Sequence, residues 1–470
     1  MRSTSLLTGF TVVVFAAACS TWPAMGQFDD VSNWAAFDAG EHGVGVDPDG
    51  YDGIVFDGRY VYFSPGFNGT EHHGEVLRYD TEGDFDHAPS WTAYDPGAHG
   101  VGLIARGYRG LAFDGRYIYF APFAYSAGTV HGEVLRCDTT GEFSDLSSWA
   151  AYNPSSHDIG YNATGYNDAV FDGRYVYFVP FYNSTGTHGE VLRYDTLATF
   201  DTPSAWNAYD PGANDVGNTP DGYKSAVFDG RYVYFAPSHT SAGYHGEVLR
   251  YDTERDFSEA PSWATYDPGE HDVGMDPGGF ATIVFDGRYV YFGPGFGANG
   301  EREALRYDTT ADFFTPSSWV TFDPQSQGLG TWETSFAGVV FDGRYILFTP
   351  HTDFDISTEV ILRYDTAASF IDPLSWSVFD PASAGVGTGI DGHHTGVFDG
   401  RYVYFAPTNW NYPELMHGEV LRYDTGAPES IPTVSEWGLV VMALLLLSVG
   451  TLVLQRRCYL VVHAGERKSC

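Results

Sequence analysis

The pentapeptide Phe56-Asp57-Gly58-Arg59-Tyr60 is the strongest indication of the fold, because it recurs six more times along the chain of 470 residues. Its aspartate stands at positions 57, 114, 172, 229, 286, 342 and 399, so the step is 56 to 58 residues. A tryptophan (34, 91, 149, 206, 263, 319 and 376) and a Leu-Arg-(Tyr/Cys)-Asp-Thr segment keep the same step. A period of this length indicates an architecture built from seven copies of one unit.

Each copy predicts four short strands, called here strand one to strand four. In the first copy they are residues 53–56, 59–63, 75–79 and 91–94. The Asp-Gly pair between strands one and two suits a type I′ hairpin turn, which needs positive φ. Strand two is rich in aromatic and β-branched residues, and strands three and four end at the turn formers Asp-Thr and Asp-Pro-Gly. No helical period appears in the unit.

The phase of the repeat predicts how the copies are arranged. The chain begins with a lone strand four, residues 34–37, and ends with strands one to three of the last copy, within 396–425. These pieces complete one blade only if a ring closes, whereas an open solenoid would leave both as exposed edges. The sequence therefore predicts an all-β fold, a seven-bladed β-propeller of four-stranded blades over residues 27–425. The first hairpin, followed by a strand ending in Tyr-Asp-Thr, resembles kelch-type propellers, although the Gly-Gly pair of that family is absent after strand two.

Composition excludes several classes of protein. The chain has 61 acidic and 24 basic side chains, a formal charge of -37, so it cannot neutralise a phosphate backbone and we expect no nucleic-acid partner. Disorder is excluded because 43% of the residues are hydrophobic and 17% aromatic, enough to bury a large core. The four cysteines form neither a disulfide framework nor a CxxC zinc site.

Both ends of the chain carry targeting signals. Residues 1–26 combine an early arginine, an apolar run and a small-residue cleavage site, Ala24-Met25-Gly26, as a secretory signal peptide does. Cys19, after three alanines, leaves a lipoprotein signal open as an alternative. Residues 437–455 are apolar and long enough for a transmembrane helix. The basic tail 456–470 then predicts a cytoplasmic C-terminus and a propeller on the outer side of the inner membrane.

The segment 426–436 joins the propeller to this helix and begins a recognisable motif. The motif residues are Ile431, Pro432, Thr433, Glu436, Trp437 and Gly438. With the apolar run and the Arg-Arg pair behind them, they resemble the IPTL-type C-terminal sorting signal of Gram-negative bacteria, a relative of PEP-CTERM signals. The resemblance implies a surface-sorted protein and a membrane protease of the exosortase kind as partner. The tail from Cys458 onward is longer than is usual for such signals.

Histidines gather on one predicted face, which carries the loops after strands two and four. A His-Gly-Glu segment precedes strand three in five blades: His73, His131, His188, His245 and His417. Blades five and six have the carboxylates Glu301 and Glu359 near this place. One interpretation is a ring that binds a charged ligand or a divalent cation, the only cofactor that the sequence leaves open. The other, which we favour, is a structural turn that repeats because the blade repeats.

The blades differ most at the start of strand one, four residues before the phenylalanine of the pentapeptide. The seven residues there are Asp52, Arg109, Asn167, Lys224, Ala281, Ala337 and His394. We expect them at the mouth of the central channel on the histidine-bearing face. The five polar ones are the candidate ligand-binding residues, because side chains of both charges can orient an anionic or polar ligand. The alternative is drift at a solvent-exposed position.

No catalytic motif was found: the chain has no Gly-x-Ser-x-Gly elbow, phosphate-binding loop or HExxH segment. Cys137 replaces a repeat tyrosine, which indicates a packed core thiol. The favoured function is therefore an exported, non-catalytic propeller that binds an extracellular polymer, a small polar ligand or a surface protein through the histidine-bearing face. The alternatives are a polysaccharide hydrolase or lyase with carboxylates at the channel mouth, and a purely structural spacer of the envelope.

Overall fold

In the computed structural model the described chain runs from residue 27 to 426, with gaps at 127, 296–301, 331–335, 351–359, 389–391 and 409–415. Its sheets are seven four-stranded antiparallel blades and three small hairpins. From strand one to strand four, blades one to four are Tyr51–Phe56, Tyr60–Pro65, Val76–Asp80, Trp91–Tyr94; Tyr108–Phe113, Tyr117–Pro122, Val134–Asp138, Trp149–Tyr152; Tyr166–Phe171, Tyr175–Pro180, Val191–Asp195, Trp206–Tyr209; and Tyr223–Phe228, Tyr232–Pro237, Val248–Asp252, Trp263–Tyr266.

Blades five to seven follow the same order. They are Ile283–Phe285, Tyr289–Phe292, Ala304–Asp308, Trp319–Phe322; Phe336–Phe341, Tyr345–Pro350, Ile361–Asp365, Trp376–Phe379; and His393–Phe398, Tyr402–Pro407, Glu419–Asp424, Trp34–Asp38. The small hairpins follow strand two of blades two to four: Ala124–Ser126 with Thr129–Val130, Tyr182–Asn183 with Gly186–Thr187, and His239–Thr240 with Gly243–Tyr244.

The repeated pentapeptide makes the turn between strands one and two. In blade one, Oδ1 of Asp57 accepts the backbone N–H groups of Arg59 and Tyr60 at 2.8 and 2.6 Å, and Oδ2 accepts the Tyr62 hydroxyl at 2.9 Å. Gly58 supplies the positive φ of the turn, +105°, whereas Asp57 has no positive φ. The predicted type I′ turn over Asp57 and Gly58 is therefore wrong: the Asp57 N–H donates to the Tyr60 carbonyl, which leaves Gly58 and Arg59 as the two central residues. The arginine pairs with the aspartate that ends strand three, as in Arg59–Asp80 at 2.8 Å, so the two repeated motifs hold each other.

The ring closes as the sequence predicts. First strands of neighbouring blades lie side by side in a complete circuit, which makes strand one the innermost strand. The N-terminal strand Trp34–Asp38 pairs antiparallel with Glu419–Asp424, with Trp34 opposite Tyr423 and Ala36 opposite Leu421. The seven-bladed propeller is thus confirmed, with blade seven assembled from both ends of the described chain.

Neighbouring blades are joined by an arginine held between two aromatic rings. Each arginine of strand three lies 4.1 to 4.8 Å from the centroids of a tyrosine in its own blade and a phenylalanine in the next: Arg78, Arg136, Arg193, Arg250, Arg306, Arg363 and Arg422. Between blades six and seven the phenylalanine is Phe28, from the N-terminal segment. Such cation–π contacts stabilise by about 0.5–2 kcal/mol each. Most of the few basic residues of the propeller therefore have structural roles.

Short 3-10 turns were not predicted. One precedes strand four in every blade, and three more follow strand four: Val31–Asn33, Ala88–Ser90, Leu146–Ser148, Pro203–Ala205, Ala260–Ser262, Pro316–Ser318 and Pro373–Ser375; Pro154–His157, Gly212–Asn214 and Gly269–His271. Within the described residues no helix has the length and apolar character needed to cross a membrane. The predicted signal peptide 1–26, the transmembrane helix 437–455 and the tail 456–470 lie outside those residues.

Candidate functional site

The residues at which the blades differ converge on the ring axis. A pocket of about 60 Å³ is lined by side chains or backbone from all seven blades, which places it in the central channel. Its lining includes Asp52, Asn167, Lys224, Ala281, Ala337 and His394. The pocket has room for a few water molecules and is much smaller than the roughly 300–1,000 Å³ of a typical ligand pocket. It therefore accommodates a small polar group, and a sugar ring or nucleotide that presents such a group would lie at its opening.

Hydrogen bonds connect these residues from blade to blade. The Arg109 guanidinium, beside the pocket, donates to Oδ1 of Asn167, whose Nδ2 donates to the Lys224 carbonyl at 2.6 Å. Between the neighbouring blades seven and one, Nδ1 of His394 lies 2.9 Å from the Asp52 carbonyl, which can only accept, so that nitrogen carries the hydrogen. Since blades five and six contribute alanines, the polar part of the rim runs from blade seven through blade one to blade four.

Two cations of the rim lie against aromatic rings. The Arg109 guanidinium carbon is 3.6 Å from the Phe123 ring centroid and 5.8 Å from that of Phe181. Lys224 Nζ is 5.7 Å from the Phe181 centroid. Burial lowers the pKa of Arg109 to about 10, opposed by the negative charge of Asp52, so the guanidinium is protonated at neutral pH. Phe123 and Phe181 follow strand two, so the pocket opens on the face that carries those loops.

Asp168 is a pocket residue that the sequence comparison missed. Burial among the inner strands raises its pKa to about 7, although hydrogen bonds from Ser225 and from backbone amides favour the charged form. The Ser225 hydroxyl and the Ala169 N–H donate to it, each at 2.8 Å. Gly110 leaves the space for it, because a Cβ there would lie 1.9 Å from Asp168 Oδ1. The residue directly after the variable rim position also differs among the blades: it is Gly, Gly, Asp, Ser, Thr, Gly and Thr in blades one to seven. This variation is the sequence signal by which Asp168 could have been predicted.

The histidines of the His-Gly-Glu segments are packed inside their own blades. Four stand edge-on to a strand-one tyrosine, with centroids 5.4 to 5.8 Å apart, and His417 stands 5.8 Å from His393. Burial lowers the pKa of His73, His131, His188 and His245 to about 4, so these rings are neutral at pH 7. Among the described residues, no group of three or more His, Cys, Asp or Glu side chains could hold a metal ion.

The glutamates of the five His-Gly-Glu segments, and Glu303 at the same place in blade five, hold the loop that enters their blade. In six blades the carboxylate accepts a backbone N–H group of that loop: Glu75 from Val46, Glu133 from Leu103, Glu190 from Tyr161, Glu247 from Asn218, Glu303 from Met275 and Glu419 from Thr388. The distances for these six bonds are 2.7 to 3.0 Å. Strand register places Glu303 at the position of Glu75 in blade five. Glu301 and Glu359, considered equivalent from sequence, lie outside the described residues.

Cys137 lies in the core of blade two, 1% exposed. Burial raises the pKa of its thiol, which keeps it protonated and unreactive. This agrees with the core role expected from its place in the repeat.

Comparison with protein families identifies the C-terminal segment. Residues 429–457 match the family described as IPTL-CTERM motif, which includes all six motif residues named from the sequence, from Ile431 to Gly438. The match confirms the sorting signal and indicates export and surface sorting. The comparison with curated proteins finds no match for the chain. The kelch-type resemblance and a Gram-negative source stay predictions.

Proposed function

We propose that this protein is a non-catalytic, surface-sorted propeller that binds an extracellular ligand at the channel mouth. The observation that carries the proposal is the convergence of Asp52, Asn167, Lys224 and His394 on one axial pocket, with Arg109 bonded to Asn167 at its edge. Elsewhere the blades repeat the same turns, ion pairs and packing. A site with its own chemistry is therefore best placed where the blades differ.

The pocket size and the bonded side chains support binding rather than turnover. A space of about 60 Å³ takes one polar group of a larger molecule, whose remainder must rest on the surrounding loops. Rim side chains that are already hydrogen-bonded lose little conformational freedom when a ligand arrives, which favours affinity. An extracellular polymer, a small polar ligand or a surface protein could each present such a group.

The sorting motif supports a location on the cell exterior. We propose that residues 437–455 anchor the protein in the inner membrane, facing the periplasm, until a sorting protease acts on the motif. Cell fractionation tests this: the unaltered chain should reach the surface. A variant with Pro432→Ala and Thr433→Ala should accumulate in the inner membrane, and equal surface display of the two would contradict the proposal.

The binding site is tested by a triple variant, Arg109→Gln, Lys224→Gln and His394→Gln. Binding to envelope and matrix material should fall, whereas a control with Arg174→Gln, Arg231→Gln and Arg288→Gln, on the opposite face, should bind normally. Circular dichroism and the melting temperature establish that both variants are folded. Unchanged binding by the first variant would show that this face is the wrong one.

A polysaccharide hydrolase or lyase is the second candidate. Asp168 favours it, because a carboxyl whose pKa is raised to about 7 has the protonation behaviour of a general acid, and Asp52 lines the same pocket. Incubation with acidic and neutral polysaccharides should then release new chain ends, and Asp168→Asn should abolish the release. No product from any substrate would remove this candidate.

A further inference from the structure

One sector of the channel rim, on blades two to four, combines aromatic rings and cations. The aromatic rings form a continuous series from the surface inward. Tyr244, 45% exposed, lies 6.3 Å from His239, which lies 5.2 Å from Phe181. Phe181 lies 6.2 Å from Phe123. We call these four residues the aromatic track.

Both channel-mouth cations lie on the inner half of this track, Arg109 over Phe123 and Lys224 beside Phe181. The chain has 24 basic residues, and most of those in the propeller belong to the repeated motifs. Two that stand outside the motifs therefore share one sector of a protein with a formal charge of -37. The track guides a ligand with flat faces, and the cations favour a negative group at its inner end.

Pocket size decides which part of the ligand enters. About 60 Å³ accepts a carboxylate and not a sugar ring, so the ring would stay outside, on the track. Asp52 and Asp168 also face the pocket. Asp52 lies in blade one, outside the track, with Thr408 donating to its carboxylate at 3.4 Å. The raised pKa of Asp168 lessens its repulsion of an anion near neutral pH.

We infer that the ligand is an acidic polysaccharide whose units are carboxylated sugars. One carboxylate lies at Lys224 and Arg109, and the sugar rings lie along Tyr244 and His239. This inference rests on the proposed function and names the chemistry of its ligand. A planar carboxylate suits the guanidinium fork, and the apolar faces of pyranose rings suit exposed tyrosine and histidine rings.

The test uses calorimetric titration of the purified protein with three probes: oligogalacturonate, its methyl ester and polyphosphate. Oligogalacturonate should bind. The ester, which keeps the rings and loses the charge, and polyphosphate, which keeps charge and lacks rings, should each bind about tenfold or more weakly, as expected for loss of a charge-assisted hydrogen bond. Equal binding of the ester, or no binding of oligogalacturonate, would overturn the inference.

Variants locate the contact on the track. Lys224→Gln should weaken oligogalacturonate and leave the ester unaffected, whereas Tyr244→Ala, on an exposed hairpin, should weaken both. Arg174→Gln, on the opposite face, is the control. Binding that ignores both Lys224 and Tyr244 would overturn the inference. If envelope material still binds and depends on the channel-mouth residues while oligogalacturonate does not, the proposed function stands and only the ligand class is wrong.

Discussion

Removal of the Trp34 side chain should open the ring at its seam, the place where strand Trp34–Asp38 pairs with strand Glu419–Asp424. This residue is 6% exposed and stacks on Tyr423 at 4.5 Å and on Phe379 at 5.2 Å. Its indole N–H donates to the Phe28 carbonyl at 2.9 Å. Replacement of a buried tryptophan by alanine costs about 3–5 kcal/mol. Because strand Trp34–Asp38 is joined covalently to the ring at only one end, this loss favours its detachment while the other blades stay folded.

Trp263→Ala is the matched control. Trp263 makes the same contacts in blade four, 4.5 Å from Tyr251 and with its indole N–H 2.9 Å from the Phe257 carbonyl. Its strand is continuous with the chain on both sides, so detachment would strain both neighbouring connections. Both substitutions should lower the melting temperature by similar amounts, since the packing lost is alike.

Hydrogen exchange read by mass spectrometry separates the two variants. When the open segment recloses faster than its amides exchange, the exchange rate follows the opening equilibrium. A change of 3–5 kcal/mol at about 1.4 kcal/mol per factor of ten then accelerates exchange of residues 34–38 by roughly two to three and a half powers of ten in Trp34→Ala. Trp263→Ala should leave that segment close to the unaltered rate. Equal acceleration in both would refute the idea of a separately opening seam.

Three further predictions concern stability, measured as melting temperature. Arg193→Met should cost about 1–2 kcal/mol of stability, because it removes the cation from between two rings at 4.2 Å. It should lower the melting temperature more than Arg174→Met, which removes an exposed ion pair. The reverse order would contradict the inter-blade role of Arg193. Burial lowers the pKa of His188 from 6.5 to about 4, so its neutral ring supports folding above pH 6.5 and that support is lost as pH falls toward 4. His188→Gln should reduce this acid-induced loss of stability by up to about 3 kcal/mol. An unchanged dependence of the melting temperature on pH would show that the ring is solvated. Gly110→Ala should destabilise far more than Gly396→Ala, because the new Cβ would meet its nearest atom at 1.9 Å in the first case and 3.2 Å in the second; equal effects would mean that the inner strands separate easily.

The repeat predicted the ring because its signals are side-chain signals. The Asp57 turn, the strand two aromatics and the lone strand at Trp34 can all be recognised by residue type and spacing, and all are found where expected, although the central residues of the turn are Gly58 and Arg59. The 3-10 turns before strand four escaped because three residues are too few to show a period. The strand boundaries differ from the predicted ones by one or two residues for another reason: the hydrogen bonds to the neighbouring strand, and not the residue types, determine where a strand ends.

The location of the variable residues was predictable from the sequence, whereas their role in ligand binding stays a prediction. The variable residues were expected at the channel mouth, and Asp52, Lys224 and His394 do line one pocket. The hydrogen bond from Val46 to Glu75 could not be predicted, because the donor is the backbone N–H of Val46. Every residue except proline carries such a group, so the residue type does not identify the donor. The pocket volume was equally hidden, since it depends on how closely glycines such as Gly110 let the inner strands approach.

The seam also sets the order in which the protein can be completed. The strand that finishes blade seven, Trp34–Asp38, is made first, and its partner Glu419–Asp424 is made last, directly before the matched residues 429–457. A chain that is exported amino end first therefore keeps the edge of strand Trp34–Asp38 unpaired until almost the whole propeller has crossed the membrane. Contacts this distant along the chain form late and slowly. The ring can close only when the sorting signal itself is being exported. The signal therefore follows directly on Glu419–Asp424, the strand whose export allows blade seven to be completed.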